Sequence, residues 1–75
     1  MRLDGYRFFF FSNEGQEPAH IHVEHNGSYA KFWLEPVRLS TSNGFSARQL
    51  RKVRNLILLN QRALYDAWNE FFPDK

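Results

Sequence analysis

Hydrophobic and polar positions divide the chain into an alternating first half and a helical second half. GYRFFFF (5–11) is a short aromatic run bounded by Gly5 and by the polar stretch SNEGQEP (12–18), and it reads as a strand followed by a loop. Phe8, Phe9, Phe10 and Phe11 point alternately to the two sides of that strand, so both sides must be partly covered. AHIHVEH (19–25), Asn26-Gly27 and SYAKFWLE (28–35) then form the clearest unit in the chain. Asn-Gly favours a two-residue turn with both residues at positive φ, and such a turn sets the register of the hairpin it closes. His25 falls opposite Ser28, Val23 opposite Ala30, His22 opposite Lys31, Ile21 opposite Phe32 and His20 opposite Trp33. Ala19, Ile21, Val23, Ala30, Phe32 and Leu34 then share one face, the core face. His20, His22, Glu24, Tyr29, Lys31 and Trp33 share the other. A slip of one residue would mix the two sets.

Pro36 ends the third strand or opens an edge segment, VRLS (37–40) adds a short fourth strand, and TSNG (41–44) reads as a turn. Ser46 and Gln49 form a capping box, with Phe45 placed to staple against Leu50. From Ala47 the spacing predicts one helix to about Phe72, stopped by Pro73. Leu50, Val53, Ile57, Leu64, Trp68 and Phe71 make its inward stripe, and Trp68 is the anchor that locks the helix onto the sheet. Leu58, Leu59, Tyr65 and Phe72 fall outside the stripe and predict a partner surface. The fold class is α+β: an antiparallel sheet of three or four strands packed on one long C-terminal helix.

Composition narrows the class further. Seventy-five residues make a single domain, 1–75, and a hydrophobic share of 43% excludes a disordered chain. The absence of cysteine excludes disulfides and thiolate metal sites. A small core without such staples predicts a homo-oligomer or a bound partner. No segment has the length of a membrane span and no secretory signal pattern opens the chain, so the expected compartment is the bacterial cytoplasm.

The net charge of +2 says little by itself, but its placement does. Arg48, Arg51, Lys52, Arg54 and Arg62 occupy the helix with no acid between residues 46 and 62, and Asp66, Glu70 and Asp74 follow. The helix dipole favours the opposite order. Arg48, Arg51, Lys52 and Arg54 are therefore candidates for phosphate or for an acidic partner protein, set against an ordinary solvated face.

The polar sheet face carries the candidate chemistry. A strand histidine titrates near neutrality and can take a proton from a ribose hydroxyl, which makes His20 and His22 candidate catalytic groups. Lys31 opposite His22 would offset developing phosphate charge, while Tyr29 and Trp33 would stack on bases. Two histidines at i and i+2 lie roughly 7 Å apart. His20 and His22 with Glu24 are therefore an alternative metal set, although zinc sites usually show more ligands, and no cofactor is expected. Cross-strand polar and aromatic pairs that merely stabilise a sheet face account for the same residues without chemistry.

P-x-HIHVE (18–24 overall), AKFWLEPVRL (30–39), GFSARQLRKV (44–53) and LYDAWNEFF (64–72) resemble, in order and over nearly the whole chain, the bacterial domain of unknown function 4160 family. Ala19 stands where that family commonly has a second proline. The resemblance implies a small protein of a two-gene, toxin–antitoxin-like module, with a cognate antitoxin-like partner. It implies no settled activity. Two readings stand: action on RNA through the strand histidines and the basic helix face, or a non-enzymatic protein-binding or oligomerisation module.

Overall fold

The computed structural model describes residues 1–73, so Asp74 lies outside the described residues. Five antiparallel strands follow one another across a single sheet in chain order: β1 (Arg2–Leu3), β2 (Tyr6–Phe9), β3 (His20–His25), β4 (Ser28–Leu34) and β5 (Val37–Asn43). Two helices complete the chain, α1 (Ala47–Leu59) and α2 (Gln61–Phe71). The α+β class holds, with more strands than expected and with the single long helix replaced by two.

The central hairpin has the expected register. His25 faces Ser28, Val23 faces Ala30, His22 faces Lys31 and His20 faces Trp33. Asn26 and Gly27 both take positive φ, at 50° and 82°, as a tight turn compatible with the strand twist requires. The core face is also the expected one: Ala19, Ile21, Val23, Ala30, Phe32 and Leu34 are buried, together with Tyr6 and Phe8 from β2. Val53 and Ile57 from α1 and Leu64 and Trp68 from α2 complete this core.

Three local expectations are corrected. The first aromatic strand ends at Phe9, and Phe10 leaves it to pack against Trp68, Phe71 and Phe72. The stretch 41–43, expected as a turn, continues β5 to Asn43; a bulge at Ser40, between the Lys31–Thr41 and Phe32–Leu39 pairs, shifts the register by one residue. The helix divides at Asn60. Its backbone N–H reaches back to Leu56 and Ile57, its side-chain amide donates to the Leu56 carbonyl at 2.8 Å, and its own carbonyl accepts from Leu64. Asparagine competes in this way with the helical ladder. A straight helix over 47–71 would be about 37 Å long, well beyond the roughly 23 Å of a seven-residue strand. The break returns Leu64 and Trp68 to the sheet, and Gln61 fixes the start of α2 by donating to the Leu34 carbonyl at 2.6 Å.

The start of α1 is as expected. The Ser46 side chain accepts from Gln49 N–H at 3.1 Å and the Gln49 side chain accepts from Ser46 N–H at 2.9 Å. Phe71 and Phe72 exchange their expected roles: Phe71 is exposed, whereas Phe72 packs on the core beside Trp68.

Candidate functional site

The sheet face opposite α1 is not open. The loop between β2 and β3 folds over it, and His20 and His22 are only 0% and 2% exposed. Phe9 stacks on the His22 ring at 5.5 Å between centroids, and Phe11 meets it edge-on at 4.5 Å. The Trp68 ring lies 4.8 Å from the ring of His20. Gly15 lets the loop pass close to the end of α2, because a Cβ at that position would lie 2.8 Å from the Phe72 ring.

Glu14 is the residue that this folding brings in. One carboxylate oxygen, Oε1, lies 2.6 Å from His22 Nε2 and 3.0 Å from His20 Nε2. His22 donates from Nε2 to Glu14 and accepts at Nδ1 from the Tyr29 hydroxyl at 2.6 Å. His20 is different. Its Nδ1–H donates to the Pro18 carbonyl at 2.9 Å, which leaves Nε2 with a lone pair. That lone pair and the carboxylate oxygen are both acceptors and cannot hydrogen-bond to each other, so His20 Nε2 is a buried nitrogen without a partner among the described residues.

The electrostatics follow the geometry. Partial burial pushes the Glu14 carboxyl up, but the hydrogen bond from His22, with the two imidazole rings beside it, outweighs it and holds the group below the ordinary carboxylate range. Burial, aided by the Glu14 charge, pushes the Tyr29 phenol up. Lys31 lies 2.7 Å from Glu17 and 4.6 Å from the centre of the Trp33 ring. Its ammonium draws the Glu17 carboxyl down.

The sequence-level candidates therefore separate. His20, His22 and Tyr29 meet in one buried cluster. Lys31 and Trp33 lie beside it, committed to Glu17 and to each other. Glu24 does not join them: it receives the Arg7 guanidinium at 2.8 Å, so the expected grouping of His20, His22 and Glu24 does not form, and the acid that lies beside both histidines is Glu14. Glu14 sits six residues before His20, in a loop whose course alternation cannot trace.

The helix candidates remain at the surface. Arg48, Arg51, Lys52 and Arg54 are all exposed. Among the described residues, Arg48, Arg51 and Arg54 have no ion-pair partner, and Lys52 is 3.9 Å from Asp4. Leu58 and Leu59 are 42% and 82% exposed. Tyr65 and Phe72 are partly buried against the core, so they do not extend that surface. None of the helices among the described residues is long and apolar enough to cross a membrane.

Comparison with known families places the chain. The family model described as domain of unknown function (DUF4160) matches residues 5–69. The chain belongs to this family. No curated protein and no solved structure matches it. The matched span of this DUF4160 chain includes β2 to β5, α1, most of α2 and every member of the Glu14, His20, His22 and Tyr29 cluster.

Proposed function

We propose that this chain is the partner-binding member of a two-gene, toxin–antitoxin-like module, and that it docks an acidic, partly apolar surface of its cognate protein on the outer face of α1. One observation carries the reading. Residues 36–65 contain six cations (Arg38, Arg48, Arg51, Lys52, Arg54, Arg62) and no acid, a net +6 within a chain of net +2. The remaining residues therefore sum to −4. On the helix, Arg48, Arg51 and Lys52 share the outward side with Leu58 and Leu59, opposite buried Val53 and Ile57. Cations followed by adjacent exposed leucines suit a protein surface better than a phosphate backbone, which offers the leucines nothing apolar.

The buried histidines support the same reading. A phosphodiester cannot reach His20 or His22 while the loop covers them, so the accessible chemistry of this fold is binding. RNA as the occupant and a second copy of the chain as the occupant are outcomes of the same experiment. Wild type and an Arg48→Glu/Arg51→Glu variant are each mixed with the protein encoded beside this gene and run on a sizing column. Co-elution of wild type alone, weakening as salt rises, supports the proposal. Co-elution of both, binding of RNA in its place, or self-association without the partner contradicts it.

A further inference from the structure

The Glu14, His20 and His22 cluster contains an unmet requirement. His20 Nδ1 is bound to a backbone carbonyl, which can only accept, so the proton of a neutral ring sits there and Nε2 is a bare lone pair. Nε2 faces a carboxylate oxygen 3.0 Å away, which is also only an acceptor, and it is buried with no partner among the described residues. Two acceptors at that distance, out of water, repel unless a positive centre lies between them.

We propose that the positive centre is a divalent transition-metal cation of the zinc class, held by Glu14 Oε1, His20 Nε2 and His22 Nε2. These three ligand atoms lie within 4.8 Å of one another, close enough to converge on one ion. Two imidazoles and one carboxylate suit a borderline cation such as Zn²⁺, whereas Ca²⁺ and Mg²⁺ require mostly oxygen. The His20 outer nitrogen already donates as it does around a bound metal, from Nδ1 to the Pro18 carbonyl, and His22 Nδ1 already has the Tyr29 hydroxyl as its partner. On metal binding the neutral His22 ring changes tautomer: the proton leaves Nε2 and one is taken up at Nδ1, so the ring keeps a single proton and donates it to the Tyr29 hydroxyl oxygen. Three protein ligands leave a fourth position for water. The proposal is independent of partner docking, since α1's outward face contributes none of these atoms.

The test uses the full chain without added histidines, stripped with a chelator and titrated with ZnCl₂ alone by calorimetry. The expected result is one ion per chain for wild type, unchanged in Glu24→Gln, weakened about 10- to 100-fold in Tyr29→Phe and lost in Glu14→Gln. Should Glu14→Gln fail to fold, nitrogen NMR of the wild-type imidazoles decides: zinc must shift Nε2 of both His20 and His22. No zinc binding by wild type, equal binding by Glu14→Gln, or an Nε2 of His20 that carries a proton and does not respond to zinc would each overturn the proposal.

Discussion

Glu14 is joined to His22 across the loop by a 2.6 Å hydrogen bond, and this contact turns an exposed strand histidine into a buried one. Nothing in the hairpin requires the loop to lie there. The carboxylate and the aromatic residues around it hold it in place.

Replacing Glu14 with Ala should therefore destabilise the chain and loosen the loop together. The variant leaves His22 Nε2–H buried without an acceptor, a loss of about 1–3 kcal/mol. Chemical denaturation measures the loss, and amide exchange should quicken across residues 12–18. Lys31→Ala, which removes a pair whose acid is half exposed, should cost less than Glu14→Ala does. Equal losses in the two variants would mean that Glu14 does not hold the loop.

Gly15 and Phe72 should be coupled. Gly15→Ala places a Cβ 2.8 Å from the Phe72 ring, and the ring must move. Overpacking of this kind costs about 1–3 kcal/mol. In a double-mutant cycle, Phe72→Ala should absorb most of the Gly15→Ala penalty. Additive effects would show that loop and helix end do not touch.

Arg48→Glu should separate stability from binding. Arg48 lies in the first turn of α1, which contains no acid. A glutamate there suits the helix dipole and should raise stability by about 0.3–1 kcal/mol, while partner affinity falls. Thermal unfolding and a binding titration on the same sample check both directions.

The Glu17–Lys31 pair predicts a small acid-side effect. The folded state holds the Glu17 carboxyl below its ordinary 4.5, with the Lys31 hydrogen bond as the main cause. The unfolded chain therefore binds the proton more readily. The contribution is complete above about pH 4.5 and disappears as pH falls through the lowered folded value. Glu17→Gln should flatten that part of the stability–pH curve and leave the curve above it unchanged in shape.

The hairpin was legible because Asn26-Gly27 and strict alternation both demand one register, and a shift by one residue would have mixed the faces. The two helices were not separable by spacing. Val53, Ile57, Leu64 and Trp68 are spaced four, seven and four residues apart, a helical spacing that runs straight through the break, so periodicity is blind to Asn60; only the asparagine itself and the excess length over the sheet signal it. The covered histidine face had one trace in the sequence. Four successive phenylalanines at 8–11 require cover on both sides of their strand. Which residue supplies the cover could not be read, because Glu14 reaches the histidines through loop geometry and not through any repeat.

The most direct measurement compares two surfaces in one titration. Affinity for the protein encoded beside this gene is measured by calorimetry for wild type, for Arg48→Glu/Arg51→Glu and for His20→Asn/His22→Asn, each first shown to be folded. The account predicts that charge reversal on α1 abolishes binding, while the histidine variant binds as wild type does. Binding that survives charge reversal and fails with the histidines would contradict it.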